Sequence, residues 1–186
     1  MDEAMSPAES VDQAFLQLEF AIKLLVHIEL GKINASDFDT DVLIKLKRVN
    51  LSFASGTFVS GDEIILAAQN NYMLTLGFTT IVLDRALEEA GFGRDDSSPA
   101  PHRDLRDLVY MIRCAFAHDM MRPRWEARGR FARKFRVCLP SGPLLVDTLA
   151  LHGQRFDDSQ VGGMEGYLQI KAEAKRLVLM RGDAAT

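Results

Sequence analysis

Cysteine is nearly missing from this chain: only Cys114 and Cys138 occur in 186 residues. Two thiols cannot build the disulfide framework of a small secreted fold, so a reducing, cytoplasmic setting is expected. The first residues, Met1-Asp2-Glu3-Ala4-Met5, are acidic where an export signal is basic and then apolar. His27, His102, His152 and Cys138 show no paired spacing, so neither a metal nor a cofactor is expected. A G-x-G-x-x-G or P-loop is also lacking, which leaves Gly162-Gly163 as a turn rather than a phosphate cradle. One run, Ile64 to Leu83, carries no charge for twenty residues, the length of a membrane span. Gln69, Asn70, Asn71, Thr75, Thr79 and Thr80 interrupt it and no basic cluster flanks it, so a helix inside a bundle is expected and no membrane partner.

What the chain does have is enough length for one ordinary domain, able to bury roughly 70% of its unfolded surface. Its net charge of −4 is unevenly spread: residues 101–140 hold ten Lys and Arg against four Asp and Glu. A basic segment inside an acidic protein is where an anion is steered, unless those arginines pair with acidic helices of the same molecule.

Periodicity predicts a mainly α fold, a bundle of about five helices with a small antiparallel β-sheet insertion. Residues 1–9 read as a disordered lead before a single domain over 10–186. Ser10 is expected to cap a first helix through Phe15, Leu18, Ile22, Leu25 and Val26 to Gly31. A shorter helix is expected from Asp37 to about Phe53, with Phe38, Val42, Leu46 and Val49 on one face, then a loop to Gly61. The third helix, Gly61 to about Ala90, is apolar nearly all round, which would bury Asn70 and Asn71 and require partners for them. Arg94 to Pro101 reads as a linker and 102 to about 121 as a helix ended by Pro123. A period of two then predicts a sheet insertion at about 125–147, from strands Trp125–Arg128, Phe135–Leu139 and Leu144–Asp147, with Pro140-Ser141-Gly142-Pro143 as a turn. Met164 to about Met180 is the last helix. Trp125 is expected to anchor the insertion as buried area.

The chemistry centres on Arg113-Cys114-Ala115-Phe116-Ala117-His118-Asp119. A guanidinium grips phosphate through two parallel hydrogen bonds, and an imidazole exchanges protons near neutral pH. On the helix, Leu105, Leu108, Val109, Ile112, Ala115 and Phe116 form an apolar stripe; Arg113 and His118 flank it, rotated by about 140° from each other. Arg103, Asp107, Tyr110 and Cys114 lie on the polar face between them. A twofold copy of the helix would give that face something to meet and would line one cleft with two arginines and two histidines. Cys114 and His118 are four apart, which also suggests a Cys-His pair or half a zinc site, but no further ligands accompany them.

The R-x4-H spacing at the end of a bundle helix, followed by Asp119, resembles the signature of HEPN domains, the higher eukaryote and prokaryote nucleotide-binding superfamily. The resemblance covers roughly residues 10–121 and the last helix, not the sheet insertion. It implies a dimeric α-helical bundle and metal-independent RNA cleavage, with Arg113 and His118 catalytic and a cognate antitoxin or regulatory protein as partner. Cys114 departs from the polar residue that commonly follows the Arg in active members. Arg106 and Tyr110 are the further candidates for backbone contact and base stacking. The competing expectation is a non-catalytic helical module, dimeric or regulatory, whose basic segment binds a partner.

Overall fold

The computed structural model describes residues 5–94 and 100–182, and the fold is mainly α. Residues 1–4 of the expected disordered lead and most of the expected linker fall outside the described residues. Four long helices, α1 (Pro7–Glu29), α3 (Gly61–Glu89), α4 (Ala100–Ala117) and α6 (Gly163–Gly182), are joined by the single-turn helices α2 (Ala35–Phe38) and α5 (Thr148–Leu151). Two antiparallel hairpins, β1 (Val42–Lys45) with β2 (Asn50–Phe53) and β3 (Lys134–Leu139) with β4 (Gly142–Asp147), and two 3₁₀ turns, Gly129–Phe131 and Asp158–Val161, complete the described elements. The chain divides into two compact units, Gln17–Thr75 and the remainder. Both α1 and α3 pass through both units, so these are not successive domains on a string.

Helix α1 starts earlier than its apolar period suggests. Ser6 Oγ accepts the Glu9 amide at 3.2 Å while Glu9 accepts the Ser6 amide at 2.8 Å, a reciprocal capping box that makes Ser6 the cap in place of Ser10. Pro7 then occupies the first helical position, where its missing N–H costs nothing. At the other end Gly31 takes φ +66°, and the Lys32 amide reaches back to His27 O at 2.9 Å to close the helix.

In the unit Gln17–Thr75, Ile28, Ile64 and Ala68 form the buried centre, with Leu24, Leu25, Ile33 and Phe58 packed against them. The helix expected over Asp37 to Phe53 is absent; only Ala35–Phe38 is helical before the β1–β2 hairpin. Phe38, Val42, Leu46 and Val49 match a helical spacing, but Val42, Ile44, Leu46 and Val49, Leu51, Phe53 also alternate. Carboxylates settle the choice by tying the hairpin base to the following loop: Asp39 accepts the Gly56 and Thr57 amides at 2.8 and 2.9 Å, and Asp41 accepts the Ser55 amide at 2.7 Å.

Helix α3 matches its expected span, but it is not wrapped on all sides. Asn70 is half-buried, Asn71 is exposed, and Leu66, Leu74 and Phe78 stay largely open, so no buried amide needs a partner. Among the described residues no helix is long and apolar enough to cross a membrane.

The other unit has its core on α4, whose predicted stripe is fully inside: Leu105, Leu108, Val109, Ile112, Ala115 and Phe116 are all buried. A Cβ at Gly77 of α3 would come within 2.8 Å of the Phe116 ring, so the glycine permits that ring its place. Hairpin β3–β4 packs on α4 and α6 and pairs Phe135 with Val146 and Val137 with Leu144, burying Phe135, Val137 and Val146. The expected third strand, Trp125–Arg128, is not one; a single bridge joins Arg124 to Arg155 instead. Trp125 itself is fully buried, its Nε1 donating to Gln160 Oε1 at 2.7 Å and its backbone paired with Gln154 and Gly153. Its ring lies 5.4 Å from Phe156. It anchors the stretch through a loop rather than a ladder.

Candidate functional site

Helix α4 ends at Ala117, earlier than Pro123 alone requires. Asp119 Oδ1 accepts the amides of both Met121 and Arg122 at 2.9 Å, which folds the chain into a turn, and the Arg124 amide reaches Ala115 O at 3.0 Å. His118 therefore sits just past the last helical residue, with its side chain 77% exposed. The i, i+4 relation that would set Cys114 and His118 on one helical face does not survive this ending.

His118 Nε2 lies 3.6 Å from Glu126 Oε2, a charge contact once the imidazole is protonated. Glu126 had no motif to mark it. Its position follows from its neighbour, because the buried Trp125 indole and its backbone bonds fix where residue 126 emerges. Arg113 is half-buried and makes no hydrogen bond or ion pair among the described residues. The partners that sequence offers for it are occupied: Asp119 in the turn, and Asp107 by Arg133 Nη2 at 3.1 Å.

The polar face of α4 is covered by the chain itself. Arg133 bridges Asp104 at 2.7 Å and Asp107 at 3.1 Å, and the Arg136 amide donates to Asp104 at 2.8 Å. Phe131, at the end of the 3₁₀ turn Gly129–Phe131, sets its ring 5.0 Å from that of Tyr110. Arg94 lies 5.1 Å over the other aromatic neighbour of this stack, the Tyr110 ring, and Arg130 4.7 Å over Phe131. A cleft of about 570 Å³ remains, lined by Arg103, Asp107, Gly129, Arg130, Ala132 and Arg133. Much of the local positive charge thus meets carboxylates or rings of the same molecule. Arg133 and Phe131 take up part of the polar face expected to meet a second copy.

Two further candidates acquire different roles. Arg106 is almost completely buried, with Nη1 2.6 Å from Asp84 Oδ1 and Nε donating to Phe92 O at 2.7 Å. A guanidinium so enclosed cannot reach a nucleic-acid backbone; it is a structural cation holding α4 to α3. Tyr110 is half-buried within the stack, and its phenol is pushed above its ordinary range, chiefly by the hydrogen bond with Cys114 and then by burial, with Arg94 pulling the other way. Both cysteines are free thiols, Cys114 half-buried on α4 and Cys138 exposed on β3. Among the described residues no three His, Cys, Asp or Glu side chains cluster closely enough to hold a metal ion.

Compared with family models, with curated proteins and with solved structures, the chain matches none. The chemistry of the α4 end is therefore argued from its own residues.

Proposed function

We propose that the protein is a metal-independent endoribonuclease of HEPN type, cleaving RNA in a cytoplasmic setting at a cleft to which two copies each contribute Arg113 and His118. The single observation that carries this reading is that both side chains remain accessible at the end of α4 while the carboxylates that could have neutralised Arg113 are spent elsewhere. His118 removes the proton from a ribose 2′-hydroxyl, whose oxygen attacks phosphorus as the bond to the 5′-oxygen breaks; an imidazolium from the other copy protonates that leaving oxygen. The products are a 2′,3′-cyclic phosphate and a 5′-hydroxyl. Each proton transfer contributes about 10² to 10⁴ in rate. Arg113 stabilises charge on the non-bridging oxygens, and Glu126, 3.6 Å from His118 Nε2, attracts the imidazolium once the proton has been taken up.

A second reading is favoured by a specific observation. Segment Gly129–Arg133 covers part of the polar face of α4 through Arg133 and Phe131, as a regulatory module that binds a cognate protein would allow. The two are separated by incubating the purified chain with mixed single-stranded RNA, with and without EDTA, beside Arg113→Ala and His118→Ala. Cleavage that persists in EDTA and falls by about 10² or more in each variant supports the nuclease. Loss with EDTA, or survival in His118→Ala, rules the mechanism out, and an inert parent leaves the regulatory module.

A further inference from the structure

The β1–β2 hairpin carries an apolar face with nothing packed over it among the described residues. Its register pairs Val42 with Phe53 and Ile44 with Leu51, and the Leu46 amide donates to Val49 O at 2.9 Å just beyond. Side chains alternate along a strand, so these six share one face, while Leu43, Lys45, Asn50 and Ser52 take the other. Each of the six is between 41% and 57% exposed. A face of this kind presents on the order of 500 Å² of apolar surface, the size that marks an interaction site. A lone two-stranded ribbon is also marginal until something packs on it.

Charge identifies what covers it. Lys47 and Arg48 lie at the tip, Asp37, Asp39 and Asp41 lie at the base, and no acidic residue occurs from 42 to 61. About 14 Å of strand separates the two ends, more than the Debye length of about 8 Å at physiological salt, so they act as separate charges. A twofold copy laid face to face with its strands reversed sets each basic tip over the partner's acidic base and closes one apolar face on the other. The same ribbon laid parallel would set cations on cations. Self-complementarity in both apolar area and sign is what an isologous interface requires. We infer that a second copy of this chain covers the ribbon, with Val42, Ile44, Leu46, Val49, Leu51 and Phe53 as the dry centre of a homodimer contact. This inference shares with the catalytic reading the need for two copies but not the contact, so a dimer indifferent to substitutions on this face overturns it alone.

The test is sedimentation velocity of the full chain across the micromolar range, with far-UV circular dichroism to verify that each variant keeps the parent fold. Ile44→Thr and Phe53→Thr retain strand-forming residues, and each raises the dimer dissociation constant about tenfold or more, whereas Leu43→Thr on the opposite face leaves it unchanged. Lys47→Glu combined with Arg48→Glu also weakens the dimer, and added salt narrows its difference from the parent. In a background carrying Cys114→Ser and Cys138→Ser, Ile44→Cys at the middle of the face is joined to its copy by a short bis-maleimide, and Leu43→Cys is not. A chain that stays monomeric, or a dimer indifferent to Ile44→Thr and Phe53→Thr, overturns the inference.

Discussion

The two hairpins of this chain are alike in local code and opposite in fate. Both set apolar residues at alternate positions on one face, both are antiparallel and both close in short turns. The β3–β4 hairpin buries Phe135, Val137 and Val146 against α4 and α6; no residue of β1 or β2 is buried. Alternation therefore specifies that a ribbon forms with one apolar face, but not what that face meets. For β3–β4 the answer lies within the chain; for β1–β2 we propose that it lies in a second copy.

The largest expected effect breaks the comparison directly. Phe135→Ala removes a fully buried ring and lowers stability by about 3–5 kcal/mol; Phe53→Thr, measured by denaturant melts in dilute solution, changes it by about 0.5 kcal/mol or less. A comparable loss at both positions would mean that the first hairpin is already covered within one chain. Trp125→Ala belongs with Phe135→Ala, because the indole is equally buried and its Nε1 bond to Gln160 is lost as well.

The same contrast between inward and outward groups holds for the arginines of α4. Arg106→Ala leaves Asp84 buried without its cation and costs about 3–5 kcal/mol, while Arg113→Ala, half-buried and without an ion-pair partner among the described residues, costs under about 1 kcal/mol. Replacing Arg106 and Asp84 together by Met and Leu sharpens the point, since removing the pair is milder than orphaning one member. On the proposed nuclease reading, a Cys114→Asn variant retains or raises the rate of RNA cleavage, measured beside the parent on the same RNA.

The smallest effect is a pH dependence. Asp12 is held below its usual range by its hydrogen bond to Lys175, against burial, with Lys175 and Lys171 adding charge attraction. Its folded pKa lies below its unfolded one, so its contribution is present above an unfolded value of about 3.9 and is lost as pH falls through the folded value. The pair is half-exposed, so the contribution is at most about 1 kcal/mol and shrinks in salt. Asp12→Asn should flatten this acid limb in melts between neutral and acid pH; an unchanged limb would show that other carboxylates set it.

Helices with a strong apolar stripe were legible from sequence, and α4 is the best case: every residue of its predicted stripe is inside. The β1–β2 hairpin was not, because Phe38, Val42, Leu46 and Val49 fit a helical period as well as a strand period, and the arbiter was a set of carboxylate-to-amide bonds from Asp39 and Asp41 that spans up to eighteen residues. Pro7 and Ser6 carry a start signal for α1, with Glu9 three residues after the cap, although Ser10 stands nearer the apolar period. At the candidate site, Arg113 and His118 were legible as residue types in a spacing. Glu126 and the burial of Arg106 were not, since each depends on a partner distant in sequence, Gln160 for the Trp125 anchor and Asp84 for Arg106.

The most direct test of the proposed chemistry is the single-turnover RNA-cleavage rate of His118→Ala in EDTA, taken on protein whose melting temperature matches that of the parent. The exposed imidazole supports no core, so stability is unchanged while the rate falls by about 10² or more. Cleavage at the parent rate by a folded His118→Ala protein would contradict the assignment of the α4 end as the reaction centre.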